Sequence, residues 1–112
     1  MVEPGLEREA WVTEWEALEP LVVDAPGEAL PEVDRLIRRM LVEAGYPLEE
    51  GEIERVAEEG IDPEVLASYR AAHDVATRVD RGVGVDPADV GETVRLFREL
   101  YEHLLARHAD AA

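Results

Sequence analysis

The sequence predicts an all-α fold, a compact bundle of four to five helices. Apolar residues recur at spacings of three and four positions through most of the chain, and proline, glycine and aspartate stand where helices commonly begin and end. With 112 residues, nearly half of them apolar, the chain has the size and composition of one domain. We therefore expect a single helical domain over residues 1–112, with residues 1–5 and 109–112 frayed.

The first predicted helix spans residues 6–19 and carries its apolar side chains on one face. Trp11, Trp15 and Leu18 follow one another at spacings of three and four residues. Pro20 is expected to end this helix, because the residue before a proline is pushed out of helical geometry. A short extended link should follow, with Asp24 as a candidate cap of the next helix.

The second predicted helix begins near Pro31, since proline is well tolerated only in the first turn of a helix. Its apolar stripe consists of Leu30, Val33, Ile37, Met40, Leu41 and Ala44. Gly45 supplies the left-handed residue that commonly ends a helix, and Tyr46 is placed to contact Leu41 behind it.

Two further helices follow a similar pattern of starts and stops. A short third helix is predicted over residues 49–59, with Gly60 as its terminator. The fourth is predicted over residues 63–81, with Asp62 as its cap and Gly82 as its terminator.

The fifth predicted helix covers residues 87–108, and Asp86 is its expected cap. Gly91 lies inside this helix, where glycine costs ~1 kcal/mol relative to alanine, so we expect another backbone to pass close to it. The short glycine-containing connection before residue 87 predicts that the fourth and fifth helices form an antiparallel hairpin.

The charge of the chain restricts its partners. The sequence has 27 acidic residues, 11 arginines and no lysine, which gives a formal net charge of −16 at pH 7. Such a surface repels phosphate backbones and anionic lipid headgroups, so we expect neither nucleic acid nor a membrane as a partner. A basic protein is the partner that this charge favours. The absence of cysteine and of a leader or membrane-spanning run predicts a cytoplasmic location.

Residues that could carry catalysis or bind a metal are few. The single serine, Ser68, lies within a predicted helix and not on the strained turn of a nucleophile. Glu99 and His103 are four residues apart on one helix, but His108 points about 140° away from His103 on an ideal helix. We therefore predict a protein that is not an enzyme, that uses no cofactor and that holds no metal.

Two groups of aromatic residues are candidates for binding. Trp11 and Trp15 lie one turn apart and are a candidate hot spot for a protein partner; the alternative is that they attach their helix to the bundle. His73, with Tyr69 and Tyr101, is a candidate centre for a small ligand; the alternative is a hydrogen-bonded histidine at the edge of the core.

Arg35, Arg38 and Arg39 form the one basic cluster of the sequence. Acidic residues on the same helix are expected to neutralise them, namely Glu32, Asp34 and Glu43.

The leading functional hypothesis is a non-enzymatic, acidic protein-interaction module, an adaptor or inhibitor-like domain for a basic partner. One alternative is a helical bundle that binds a small ligand or a metal at His73. Another is a homodimeric structural protein, so the sequence leaves open whether the chain is a monomer or a homodimer.

Overall fold

The computed structural model describes residues 4–44, 46 and 63–111, which form helices without any strand. The four helices are α1 (Pro4–Asp24), α2 (Pro26–Glu43), α3 (Pro63–Asp80) and α4 (Pro87–Ala111). The predicted all-α fold class is thus confirmed. The predicted helix over residues 49–59 lies outside the described residues, as do the expected terminators Gly45 and Gly60 and the expected cap Asp62.

Two prolines lie inside helices, so the boundaries predicted from them are wrong. Pro20 lies within α1 and Pro31 within α2. A proline removes one backbone hydrogen bond and crowds the preceding turn, at about 3 kcal/mol. Val22, beyond Pro20, is buried in the core, and Leu18, before it, packs against the core. Burying one such side chain contributes about 1.5–3 kcal/mol, so packing on both sides of the proline offsets its cost.

A single residue, Ala25, separates α1 from α2. Asp24 is the last residue of α1, and no side chain caps the start of α2, so the capping role expected for Asp24 is wrong. The Ala25 N–H donates to the Leu21 carbonyl at 2.7 Å, and the Ala25 carbonyl accepts the Glu28 N–H at 3.0 Å. Backbone groups, and not a capping side chain, therefore supply the hydrogen-bond partners at this junction.

The end of α3 and the start of α4 have the terminator and the cap that the sequence predicts. Gly82 has a φ of 76°, and the N–H of Val83 donates to the carbonyl of Arg78 at 2.9 Å, which is the Schellman ending of a helix. The Asp86 carboxylate accepts the N–H of Ala88 at 2.8 Å and so caps α4.

The buried core receives side chains from all four helices. The largest fully buried side chains lie on α2 and α4; they are Leu30, Val33, Leu36, Ile37, Met40, Leu41 and Phe97. Both α2 and α4 contact each of the other three helices, so these two helices form the centre of the bundle.

Contacts between helices fix their directions. Trp15 of α1 stacks on Tyr101 of α4, and Glu19, further along α1, accepts a hydrogen bond from Arg98, which is earlier in α4. The two helices therefore run in opposite directions. Arg107, late in α4, donates to the hydroxyl of Tyr46 just beyond α2, at 2.8 Å, so α2 and α4 run in the same direction.

The beginning of α3 lies beside the later turns of α4. Val65 and Ser68 of α3 line a groove together with Leu100 and His103 of α4. The end of α3 therefore lies near the start of α4, and the junction at Ala25 lies at this same end of the bundle.

The environment of Gly91 differs from the prediction. No side chain or neighbouring backbone lies within 4 Å of the position that a Cβ atom would take there, and the residue is exposed. The expected close passage of another backbone is therefore wrong.

Candidate functional site

Exposed acidic residues gather at the end of the bundle where α1 ends and α4 begins. They are Asp24, Glu28, Asp80, Asp86 and Asp89. Arg81, in the connection between α3 and α4, lies at the same end and is also exposed. The helix directions bring these residues together from all four helices, although they are far apart in sequence. We call this surface the acidic end.

Two carboxylates of the acidic end occupy unfavourable positions in their helices. Asp24 is the last residue of α1, which has no basic residue in its last turn, and Asp80 is the last residue of α3. The C-terminal end of a helix carries a partial negative charge, so an acidic side chain there costs about 0.3–1 kcal/mol. By contrast, Glu28 and Asp89 lie in first turns, where the helix dipole favours them.

Exposed apolar side chains accompany these carboxylates. Val23, next to Asp24, is 74% exposed, and Val83, in the connection after α3, is 53% exposed. Val42, the other large hydrophobic residue with high exposure among those described, is in the last turn of α2 at the opposite end of the bundle. The acidic end therefore offers both negative charge and apolar contact area.

The tryptophans lie inside the bundle. Trp11 and Trp15 are 7% and 6% exposed, and Trp15 stacks on Tyr101 with ring centroids 4.3 Å apart. The Trp15 indole N–H donates to Glu19 at 2.6 Å, and Glu19 also accepts a hydrogen bond from Arg98. The indoles thus attach α1 to the bundle, which was the alternative interpretation. They do not form an exposed hot spot.

His73 belongs to a polar cluster between α2 and α3. Its Nδ1 atom lies 2.9 Å from the carboxylate of Asp34, whose side chain is mostly buried, and the His73 side chain is 40% exposed. The Tyr69 hydroxyl lies 3.4 Å from the same nitrogen, and the two rings stack. Tyr101, expected beside them, packs on Trp15 instead.

The cluster changes the acidity of Tyr69. Burial raises the pKa of the Tyr69 hydroxyl well above its ordinary value, and the negative charge of Asp34 raises this pKa further. Arg38 lowers it in part through its positive charge and a hydrogen bond to the hydroxyl.

The Asp34–His73 contact also selects one nitrogen of the imidazole. Because Nδ1 lies 2.9 Å from an oxygen of Asp34, the contact favours the tautomer whose Nδ1–H donates to this carboxylate. Nothing in the sequence pairs Asp34 with His73, since the two residues are 39 positions apart and lie on different helices. Sequence reasoning placed Asp34 instead among the neighbours of the arginines.

The arginine cluster is paired along two helices. Arg35 forms an ion pair with Glu32 at 2.7 Å, as expected from their spacing. Arg39 reaches across to Glu14 on α1, a partner that the sequence pattern does not indicate. Arg38 lies close enough to Tyr69 for its positive charge to lower the pKa of the Tyr69 hydroxyl.

Other candidate residues form no recognisable centre. Among the residues that the structure describes, no three histidine or acidic side chains are placed to hold a metal ion. Glu99, His103 and Ser68 line the groove between α3 and α4, and the side chain of His108 lies outside those described. No described helix combines the length and the apolar character needed to cross a membrane.

Comparison with known proteins gives no match to a protein-family model, to a curated protein or to a solved structure.

Proposed function

We propose that this chain is a non-enzymatic protein-interaction module, of an adaptor or inhibitor-like kind, that binds a basic partner through the acidic end. The observation that carries the proposal is the exposure of five acidic residues and two valines at one end of the bundle. Negative charge attracts a basic partner and orients it, and apolar contact area adds affinity once the partner has docked.

Asp24 and Asp80 give separate support. Both carboxylates lie where the dipole of their own helix disfavours them. Residues that destabilise their own helix are expected mainly at functional sites, where binding or activity determines which residue is present. A basic partner would supply positive charge at the end of α1, which has no basic residue in its last turn, and would add to the single arginine, Arg78, in the last turn of α3.

The partner surface that fits best is an amphipathic segment with arginine or lysine beside one or two apolar side chains. A nucleic acid does not fit, because its phosphates would meet five acidic residues here. We also propose the finer topology behind this surface, an antiparallel hairpin of α3 and α4. The short connection over residues 81–86 and the groove that Val65 of α3 shares with Leu100 of α4 support it.

Binding of a synthetic amphipathic peptide of about 15 residues, rich in lysine and leucine, tests the proposal by fluorescence anisotropy. In the end variant, Asp24, Asp80 and Asp89 become asparagine and Glu28 becomes glutamine, so the net charge falls from −16 to −12. We expect this variant to bind the peptide at least about tenfold more weakly than the unmodified chain.

A matched variant controls for net charge. It carries glutamine at four exposed glutamates outside the acidic end, namely Glu16, Glu43, Glu99 and Glu102, and it has the same net charge as the end variant. We expect this control to lose only about two- to threefold in affinity. Equal losses in the two variants, with both still helical by circular dichroism, would show general attraction to an acidic protein and overturn the proposed surface.

A further inference from the structure

A groove between α1 and α2 has a different chemistry from the rest of the surface. Its volume is about 510 Å³, and its walls are mostly apolar because the aliphatic stems of arginine side chains contribute to them. From α1 the lining residues are Glu14, Ala17 and Leu18, and from α2 they are Glu32, Arg35, Arg38 and Arg39. Three of the chain's 11 basic residues thus line one groove in a protein of net charge −16.

The guanidinium groups at this groove can change partners at small cost. The side chains of Arg35 and Arg39 are 64% and 59% exposed, and their carboxylate partners Glu32 and Glu14 are 50% and 39% exposed. Ion pairs with this exposure are worth only about 0–1 kcal/mol, because water solvates both charges. A ligand carboxylate could therefore take the place of Glu32 or Glu14 without a large loss of stability.

The volume of the groove limits the kind of ligand. Small-molecule sites commonly measure about 300–1,000 Å³, whereas a bound helix or a polyanion would extend well beyond this groove. Glu14 and Glu32, which also line the groove, disfavour a ligand with several negative charges. The groove therefore fits a small ligand that has one negatively charged group and an apolar body.

We propose that the groove binds an amphiphilic organic monocarboxylate. The apolar body lies on Ala17 and Leu18, and the carboxylate accepts hydrogen bonds from the arginines of α2. Arginine suits this role because its planar guanidinium can donate two parallel hydrogen bonds to a carboxylate. The large negative charge of the protein does not prevent binding, since at about 0.15 M salt charges are screened beyond ~8 Å. This inference is independent of the acidic end.

Calorimetric titration with decanoate tests the site. We expect saturable binding with a dissociation constant on the order of 100 µM. Decanol, which has the same chain without the charge, is expected to bind at least about tenfold more weakly.

Two variants assign the site to the groove. Arg35→Gln removes one guanidinium and is expected to weaken decanoate binding about fivefold or more. Arg95→Gln is the matched control, because Arg95 lies on α4, is also 64% exposed and forms the same three-residue-spaced ion pair with Glu92. We expect binding to this control to stay within about twofold of the unmodified chain.

Three results would each overturn the proposal: no saturable decanoate binding below about 1 mM, decanol binding as tightly as decanoate, or equal affinities in Arg35→Gln and Arg95→Gln. Since both arginines are exposed, neither variant should unfold the chain, and a circular dichroism spectrum checks this. A Leu18→Ala variant tests the apolar part in the same way and is also expected to weaken binding.

Discussion

Tyr69 is the residue whose chemistry the fold changes most clearly. Its hydroxyl lies beside His73 and close to Asp34, so ionisation would place a second negative charge next to a mostly buried carboxylate. Burial and the charge of Asp34 both raise the pKa of this hydroxyl. The folded chain therefore favours the neutral phenol more strongly than the unfolded chain does.

This preference predicts a loss of stability in alkali that Tyr69→Phe should reduce. A raised pKa means that the contribution of Tyr69 is fully present below the ordinary tyrosine pKa, about 10, and is lost as the pH rises towards the folded value. We expect the free energy of unfolding, from urea denaturation, to fall less between about pH 9 and pH 11 in Tyr69→Phe than in the unmodified chain. Some loss should remain, because burial raises the pKa of Tyr101 as well. Identical pH profiles would contradict this assignment.

The Asp34–His73–Tyr69 cluster also shows which part of a site the sequence can predict. Tyr69 and His73 are four residues apart on one helix, so their proximity follows from helical spacing. Asp34 belongs to the cluster because α2 packs on α3, and Tyr101 does not belong to it because its ring stacks on Trp15 of α1. No spacing rule carries such information across helices.

At the scale of the helix, the sequence predicted helix boundaries correctly where local backbone geometry determines them. It predicted them wrongly where packing in the core determines whether the helix continues. Gly82 adopts the left-handed conformation that its position in the sequence indicates, and Asp86 caps α4. Pro20 and Pro31 were expected at helix boundaries, but burial of the residues around them keeps α1 and α2 helical. A proline inside a helix costs about 3 kcal/mol, and burial of one or two apolar side chains can offset this cost.

Gly91 allows a direct test of helix propensity in α4. Open space surrounds the position of its missing Cβ, so Gly91→Ala should raise the free energy of unfolding by about 0.5–1 kcal/mol. Gly82→Ala is the matched control: space is open there too, but the φ of 76° strains any side chain, and we expect a loss of about 1 kcal/mol. Urea denaturation measures both, and destabilisation by Gly91→Ala would mean that a side chain at this position is not tolerated.

At the scale of the whole molecule, the acidic end arises from topology. Its residues come from helix ends that are up to 65 positions apart, from Asp24 to Asp89, and the directions of the helices bring them together. Composition predicted the total charge but not where it gathers. Contacts between helices, such as the stacking of Trp15 on Tyr101, fix the directions of the helices. The apolar periodicity of a single helix does not predict which helices make these contacts.

The total charge predicts that salt stabilises the fold. Acidic residues outnumber basic ones by 27 to 11, so repulsive pairs dominate over the exposed ion pairs, each of which contributes only about 0–1 kcal/mol. Raising sodium chloride from about 0.01 M to 0.15 M shortens the screening length from ~30 Å to ~8 Å and should weaken the repulsion more than the attraction. We therefore expect the thermal midpoint at pH 7 to rise with salt.

The two variants of net charge −12 separate this effect from specific binding of a cation. If repulsion is the cause, both variants should melt at a higher temperature than the unmodified chain at low salt, and both should gain less from added salt. Choline chloride should act as well as sodium chloride, since screening depends on ionic strength alone. A midpoint that salt leaves unchanged or lowers would contradict the prediction. A rise confined to sodium would point instead to a cation held by particular carboxylates, and the variant that loses this rise would show whether they belong to the acidic end.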